Sequence, residues 1–272
     1  MRVSFTKMHG LGNDFIMLDA RDGTLPAVTH GVAKALADRK TGIGCDQLIV
    51  LERSETADFR MRIFNADGGE VEACGNASRA VALLHGAPAQ VETGGGTIAL
   101  EPIDGGARVD MGTPRFDWDQ IPLAYPLDTS AMPVGWEGLE NAAAVNVGNP
   151  HVIFFVDDPY AIDLERLGPI IETDPLFPDR VNVNVASVSD GRITLRVWER
   201  GVGLTRACGT GACATAVAAI ARGLVTSPVD VALPGGTLSI AWERGGSIVM
   251  TGPATTSFTG SFEWDDFAGG AG

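Results

Sequence analysis

The 272-residue sequence has few cysteines and no long hydrophobic run. Its four cysteines are too few for a disulfide scaffold, and a reducing compartment would keep them as thiols. No stretch reaches the ~18 uninterrupted apolar residues of a membrane span, and the first residues lack the pattern of a signal peptide. We therefore expect a cytoplasmic protein with no membrane partner.

Basic residues are also scarce, with 20 Lys and Arg against 34 Asp and Glu and a formal net charge of −14. Nucleic-acid binding requires clustered Lys and Arg, so this balance disfavours a nucleic-acid partner. Hydrophobic residues make up 45% of the chain and charged residues 20%, which is typical of a globular protein. The length fits one large domain or two small ones.

A weak internal duplication is the most informative feature that is present. A Gly-Asn pair, an apolar strand, a strand with an Arg-x-aromatic pattern and an Ala-Cys-Gly occur in this order twice, about half a chain apart. The copies contain Gly12-Asn13, Arg62, Phe64 and Ala73-Cys74-Gly75 in the first half, and Gly148-Asn149, Arg196, Trp198 and Ala207-Cys208-Gly209 in the second. The repeat predicts two similar lobes.

The predicted elements are many short strands and two Ala-rich helices, over residues 76–85 and 211–222. Each helix follows an Ala-Cys-Gly and ends before a glycine, as a helix stop should. The predicted fold class is α+β, with two pseudo-symmetric lobes, each a mixed, mostly antiparallel sheet wrapped around a central apolar helix. We assign residues 1–115 and 116–260 to the lobes, with residues 261–272 as a candidate to return to the first. The active site is expected in the cleft between the lobes.

Cys74 and Cys208 stand at the starts of the two predicted helices, where free backbone N–H groups and the helix dipole favour thiolate and bind anions. Two such ends facing one another suit the inversion of a carbon next to a carboxylate. One cysteine takes the proton as thiolate, and the other returns a proton from the opposite face as thiol. The helix ends stabilise the charge that develops on the carboxylate.

The other two cysteines are interpreted differently. Cys45 lies in a glycine-rich loop and Cys213 lies one turn inside a helix, so both are expected to be small core residues. A metal site is not predicted, because the sequence has no Cys-x-x-Cys and its four histidines are scattered.

Seven sequence segments, taken together, form a highly specific signature. They read MHGLGNDF from Met8, GIGCDQ from Gly42, FNADG from Phe64, CGN from Cys74, GNPH from Gly148, RVN from Arg180 and ERGVGLTRACGTG from Glu199. With these segments, nearly the whole chain resembles the diaminopimelate epimerase family. The resemblance implies that family's fold and a cofactor-independent epimerase of lysine and peptidoglycan precursor synthesis. It interconverts LL- and meso-2,6-diaminopimelate and needs no metal.

The resemblance also implies roles for individual residues. Cys74 and Cys208 correspond to the two acid/base thiols, and His151 and Glu199 to neighbours that modulate their pKa. The implied substrate ligands are Asn13, Gln47, Asn65, Gly75, Asn76, Asn149, Asn182, Glu199, Arg200, Gly209 and Thr210. A diamino diacid fits this set, because Arg200 can pair with the far carboxylate. A homodimer is implied as well.

Two positions depart from the family pattern: Gly69 stands where serine is usual, and Ala77 where glycine is usual. Neither replaces a thiol, so they bear on placement in the first lobe rather than on the reaction.

Some of the polar residues also have a purely structural interpretation. Asn13 and Asn149 could be turn residues, Asn182 a solvent-facing strand residue, and His151 a structural histidine. Glu199 and Arg200 could form a surface pair.

Three other functions compete. A two-thiol racemase of the proline or hydroxyproline type would share both cysteines but would not need Arg200 or the several asparagines. A cysteine hydrolase or transferase would form a covalent intermediate and would not need a duplicated cysteine. A binding protein derived from a decayed enzyme would have no reason to keep both thiols.

Overall fold

The structure is a computed structural model that describes residues 1–72 and 74–268. The chain divides into two compact units. The first unit contains Met1–Val109 and the segment that begins at Pro253, and the second unit contains Asp110–Gly252. Ala73, part of the first Ala-Cys-Gly, and residues 269–272 of the predicted returning segment lie outside the described residues.

The unit boundaries differ from the predicted ones by a few residues. Arg115 exchanges backbone hydrogen bonds with Asn146, which ties it to the second unit rather than to the first lobe. The returning segment begins at Pro253 rather than at residue 261, because the last strand pairs with the first along its whole length. That pairing runs from Thr255 opposite His9 to Glu263 opposite Arg2.

The first unit is built mainly of short strands. They are β1 (Arg2–Gly10), β2 (Asn13–Asp19), β3 (Gln47–Glu52), β4 (Phe59–Asn65), β5 (Glu70–Val71), β6 (Ala89–Thr93), β7 (Gly96–Ile103), β8 (Gly106–Asp110) and β18 (Thr255–Glu263). β1 is antiparallel to β18 and β2, β2 is parallel to β3, and β3 is antiparallel to β4. β4 then pairs with antiparallel β5 and parallel β6, and the antiparallel strands β7 and β8 follow.

The second unit has the strands β9 (Met132–Trp136), β10 (Leu139–Asn146), β11 (Pro150–Phe155), β12 (Asn182–Ser189), β13 (Arg192–Glu199), β14 (Gly203–Thr205), β15 (Val229–Leu233), β16 (Gly236–Ala241) and β17 (Val249–Pro253). β9 and β11 are antiparallel to β10, β11 is parallel to β12, and β12 is antiparallel to β13. β13 pairs with antiparallel β14 and parallel β15, and antiparallel β16 and β17 follow.

The order of pairings from β1 to β8 therefore recurs from β10 to β17. Register agrees as well: Ile63 pairs with Val71 in the first unit, and Val197 pairs with Thr205 at the equivalent point of the second. The predicted α+β fold of two similar lobes is confirmed, and the repeat in sequence corresponds to a repeat in topology.

The two predicted helices are α2 (Gly75–His85) and α4 (Gly209–Ala221). Residues 75–82 of α2 are buried, and so are most residues of α4, which is built largely of alanine and glycine. Small side chains allow the strands to approach such a helix closely. Gly86 ends α2 in the left-handed conformation with φ 75°, as its position after the last helical residue predicted.

Two short helices were not predicted, α1 (His30–Ala37) and α3 (Leu164–Glu172), and Asp265–Ala268 forms a single turn, α5. α1 is too short to show a clear helical period, and α3 contains Gly168 and Pro169, which are poor helix formers. Both bury one apolar face, with Val32 and Leu36 in one core and Leu167 and Ile171 in the other. Among the described residues, no helix is both long and apolar enough to cross a membrane.

Candidate active site

Cys74 is the N-cap residue of α2. Its backbone is extended, and its Sγ accepts a hydrogen bond from the backbone N–H of Ala77 at 3.5 Å. Ser78 fixes the same turn, because its N–H and its hydroxyl both donate to the carbonyl oxygen of Cys74. The sulfur thus lies among the first N–H groups of a helix, where negative charge is favoured.

Asn13 lies beside this sulfur with its amide held in one orientation. Its Nδ2 donates to the carboxylate of Asp46 at 3.1 Å, so its oxygen faces the other way. That oxygen lies 3.9 Å from Sγ of Cys74 and accepts from Nδ2 of Asn76 at 3.2 Å. Asn76 is itself fixed by the fully buried Arg79, which donates to Asn76 Oδ1 at 2.8 Å. The side chains of Asn13 and Asn76 are therefore set by the protein around Cys74.

An ionic cluster that was not predicted supports Asn13. Arg39 bridges Asp14 and Asp46, with N–O distances of 2.5 and 2.7 Å. Lys7 pairs with Asp14 at 2.5 Å and also donates to the carbonyl oxygen of Gly44. Burial raises the pKa of Asp14, but hydrogen bonds from Arg39 and Lys7 outweigh it and hold that pKa well below its usual range. Both carboxylates directly adjoin predicted ligands in sequence, but acidic side chains are by default on the surface, so this adjacency alone does not identify them.

Gln47 and Asn65 are neighbours at the paired ends of β3 and β4. Nε2 of Gln47 donates to Oδ1 of Asn65 at 3.0 Å. Oε1 of Gln47 is buried and accepts no hydrogen bond within the described part of the chain. A buried acceptor without a partner is rare in native proteins, and a ligand with an N–H group would satisfy it.

Cys208 has in α4 the position that Cys74 has in α2. It is the N-cap residue, and its Sγ accepts from the backbone N–H of Gly211 at 3.3 Å and lies 3.5 Å from the hydroxyl of Thr210. A Cβ on Gly211 would lie only 3.2 Å from this sulfur and 3.0 Å from Val197. Glycine therefore keeps space open beside the thiol. Gly209 and Thr210 begin the helix, as predicted.

His151 is fully buried on β11 between two amides. Its Nδ1 lies 3.2 Å from Oδ1 of Asn184, and its Nε2 lies 3.0 Å from Oδ1 of Asn149. Burial lowers the pKa of His151 to about 4; the hydrogen bond with Asn184 opposes this shift, and the charge of Arg200 adds to it. Asn184, which was not predicted, also donates to Gly211 and Thr215 of α4.

Asn182 and Arg200 are in direct contact. The buried side chain of Asn182 accepts from the backbone N–H of Arg200 at 2.9 Å and donates to the carbonyl oxygen of Pro150 at 2.8 Å. Asn182 is therefore not a solvent-facing strand residue. The guanidinium of Arg200 donates to the carbonyl oxygen of Asp179, and Oε1 of Glu199 accepts from the hydroxyl of Thr205 at 2.5 Å.

The two remaining cysteines lie in the core, as predicted. Cys45 is 1% exposed, and burial raises the pKa of its thiol to about 12. Cys213 is fully buried inside α4.

Each unit thus gathers one half of the predicted site around one helix start. The first unit holds Asn13, Gln47, Asn65, Cys74, Gly75 and Asn76. The second holds Asn149, His151, Asn182, Glu199, Arg200, Cys208, Gly209 and Thr210. The described residues contain no group of three or more His, Cys, Asp or Glu side chains arranged to hold a metal ion.

The fold is shared with proteins of solved structure. A hydroxyproline epimerase from Agrobacterium vitis is similar with a TM-score of 0.68 and 16% identity, over 99% of this chain and 94% of that one. A phenazine biosynthesis protein of the PhzF family from Bacillus anthracis gives a TM-score of 0.68 and 15% identity, over 97% and 99%. At these identities the likeness concerns the fold alone. The family model and the curated relatives that match the chain place it in the class of isomerases that act without pyridoxal phosphate.

Within that class, the chain belongs to the diaminopimelate epimerase family. The family's sequence model matches residues 5–116 and 143–257, one block for each copy of the repeat. A diaminopimelate epimerase from Erythrobacter litoralis is 70% identical over 269 residues, which are 98% of this chain and 100% of that protein. One from Sphingopyxis alaskensis is 64% identical over 268 residues, with the same shares covered. The predicted family is confirmed.

Proposed function

We propose that this protein interconverts LL- and meso-2,6-diaminopimelate by moving a proton at one alpha carbon, with Cys74 and Cys208 as the two acid/base groups. The observation that carries the proposal is that two cysteines, at equivalent points of a repeated fold, are each the N-cap residue of a buried helix. Membership of the diaminopimelate epimerase family supports the substrate and a place in lysine biosynthesis.

The reaction needs two proton transfers and no redox step. The thiolate of one cysteine takes the alpha proton and becomes a thiol, and the C–H electron pair stays on the substrate as a carbanion conjugated with its carboxylate. The thiol of the other cysteine donates its proton to the opposite face and becomes a thiolate. N–H groups of the helix starts at Gly75-Asn76 and Gly209-Thr210 stabilise the charge that develops on the carboxylate. After one turnover, the cysteine that began as the thiolate is a thiol, and the other cysteine is a thiolate.

The remaining predicted ligands are proposed to bind the amino and carboxylate groups of the substrate. Asn13, beside Cys74, would contact the reacting end, and the buried unpartnered Oε1 of Gln47 would accept from an ammonium group. Arg200 is proposed to pair with the far carboxylate, since a guanidinium presents two parallel donors to it. Asn65, Asn149, Asn182 and Glu199 complete the set.

His151 and Glu199 are proposed to modulate the thiols, and the protein is proposed to act in the cytoplasm as a homodimer. The resemblance to the family supports these statements. For His151, the geometry favours an indirect effect, because its neighbour Asn184 is bonded to the helix that begins at Cys208. Light scattering on the purified protein tests the dimer.

Isotope exchange tests the reaction. In deuterated water, LL-diaminopimelate should gain one deuterium at an alpha carbon as the meso isomer forms. A protein that produces neither exchange nor epimerisation is not this enzyme. L-Proline and trans-4-hydroxy-L-proline serve as competing substrates, because the rival racemase would turn them over.

Variants of the two cysteines test the mechanism. Cys74→Ser and Cys208→Ser keep an oxygen that can cap the helix, so stability should stay within about 1 kcal/mol of the wild type. Turnover should nevertheless fall at least about a thousandfold, because a hydroxyl is too weak an acid to form the anion near neutral pH. Cys45→Ala is the matched control, since that thiol lies in the core. Near-normal turnover in either serine variant would exclude the two-thiol mechanism.

A further inference from the structure

The turn between β13 and β14 carries Glu199 and Arg200 and has little internal support. Its backbone hydrogen bond runs from the N–H of Val202 to the carbonyl oxygen of Glu199 at 3.0 Å. Gly201 and Gly203 both have positive φ, 75° and 107°, and Val202 is 70% exposed. Beyond the pairing of β13 with β14 at its base, the position of this turn therefore depends on contacts with the rest of the unit.

Glu172, the last residue of α3, supplies two of these contacts. Oε1 of Glu172 accepts from the backbone N–H of Gly201 at 3.0 Å, and Oε2 accepts from the indole N–H of Trp198 at 2.7 Å. Glu172 is only 5% exposed. A carboxylate buried to this extent is costly unless its oxygens are hydrogen-bonded, and here both are.

The two donors to Glu172 flank the predicted ligands. Trp198 precedes Glu199, and Gly201 follows Arg200. The backbone N–H of Arg200 itself donates to Asn182, so two consecutive N–H groups of the turn are held by side chains beneath it. Arg180 adds a cation 3.6 Å from Oε1 of Glu172, which offsets part of the buried charge.

A carboxylate is the side chain that this arrangement requires. Both neighbours donate through N–H groups, and a carboxylate can accept with each oxygen. A glutamine amide would accept with one oxygen and direct its own N–H₂ at the second donor. Glutamate therefore satisfies both contacts, and glutamine does not.

We propose that Glu172 is a positioning residue for epimerisation, which holds the turn so that Arg200 meets the end of the substrate remote from the reacting carbon. This inference rests on the proposed function for its substrate. Whether Glu172 stabilises the turn does not depend on that function, because it can be measured in the protein without substrate.

Glu172→Gln tests the proposal, and Glu165→Gln, an exposed position of the same helix, is the matched control. The Michaelis constant for LL-diaminopimelate should rise about tenfold or more in Glu172→Gln, while kcat stays within about threefold, because one lost buried hydrogen bond acts on binding of the far end. Exchange of the Gly201 amide with solvent, followed by NMR, should become at least about tenfold faster. The control should change neither value.

Three outcomes would overturn the proposal: unchanged Gly201 exchange in Glu172→Gln, faster exchange with an unchanged Michaelis constant, or an equal effect in Glu165→Gln. Trp198→Phe removes the indole donor and leaves the Gly201 contact, so it should show a smaller rise in the Michaelis constant; an equal or larger rise counts against Glu172. If Glu172→Gln does not fold, Glu172→Asp replaces it, with an intermediate effect expected. If the wild type does not epimerise diaminopimelate, the proposed function fails, and Gly201 exchange still decides whether Glu172 holds the turn.

Discussion

Asn184 and His151 form a buried pair whose hydrogen positions can be deduced. Nδ2 of Asn184 faces the carbonyl oxygen of Gly211 at 3.1 Å, and a carbonyl can only accept. The opposite end of the amide, Oδ1, therefore faces Nδ1 of His151, which must carry a hydrogen. With its pKa lowered to about 4, chiefly by burial, the ring holds a single proton at neutral pH. Nε2 is then an acceptor, so the amide of Asn149, which lies 3.0 Å from it, must present its Nδ2 rather than its Oδ1 to the ring.

The prediction is that His151 is the neutral Nδ1–H tautomer at pH 7. Nitrogen-15 spectra of histidine-labelled protein should show one protonated and one unprotonated ring nitrogen for His151, identified by their loss in His151→Gln. Thr215→Val, which leaves the bond to Gly211, should not change the spectrum, whereas Asn184→Leu should free the ring to change tautomer. Two protonated nitrogens in the wild type would contradict the deduction.

The same histidine predicts a pH dependence of stability. In the unfolded chain its pKa is near the ordinary 6.5, and in the fold it is about 4. Between these values the unfolded state binds the extra proton, so the free energy of unfolding falls as pH is lowered from above 6.5 to 4. The loss is at most about 3 kcal/mol. Below pH 4 this residue causes no further loss.

Urea unfolding of the wild type and His151→Gln at several pH values tests this slope. The variant should be less stable at pH 8, since it loses buried contacts, but its free energy of unfolding should change less between pH 6.5 and 4. His30→Gln, at an exposed position, should keep the slope of the wild type. Parallel curves for the wild type and His151→Gln would show that His151 is not the source.

The single methyl group added by Gly168→Ala is expected to have a large steric effect. A Cβ at this position of α3 would lie 2.4 Å from the ring of Trp198, well inside van der Waals contact. Gly168→Ala should therefore lower the free energy of unfolding by about 2–3 kcal/mol, although alanine favours helix. Gly246→Ala, where the nearest atom would be 3.3 Å away, should cost under about 1 kcal/mol. A neutral or stabilising Gly168→Ala would mean that α3 does not pack on Trp198 in this way.

The buried thiol of Cys45 is expected to be unreactive in the native protein. Burial raises its pKa to about 12, and only the thiolate reacts readily with alkylating agents. In the native protein at pH 8, iodoacetamide should leave Cys45 unmodified while the same treatment in urea labels it fully. Peptide mass spectrometry measures both. Rapid native labelling would show that the loop at residues 42–46 opens far more readily than its contacts indicate.

Much of the fold could be predicted from sequence because the same pattern of motifs occurs twice, once in each unit. Cys74 and Cys208, each at the start of an alanine-rich segment that ends at a glycine, defined the two central helices and the repeat. α3 could not be found in this way, because Gly168 and Pro169 disfavour helix, and the close contact with Trp198 that requires Gly168 is visible only in the structure. The place where the last strand returns depends on pairing with β1, which no local pattern encodes.

The site residues that belong to a sequence motif could be predicted. The residues that hold them in position were harder to predict. Asn13, Cys74 and Cys208 could be singled out by residue type and position. Asp46 and Glu172 could not, since an acidic residue is by default on the surface, and only the structure shows one bonded to Asn13 and the other buried under Trp198 and Gly201. These residues become visible only when segments far apart in sequence are brought together.

The pairing of β1 with β18 bears on the order in which this protein folds during synthesis. The second unit is one continuous stretch, so all its strands are synthesised before β18. The first unit begins earlier but cannot close its sheet until β18 arrives to cover β1. Domains generally fold as units on emerging. Here the half of the protein that is translated first is therefore the half that is completed last.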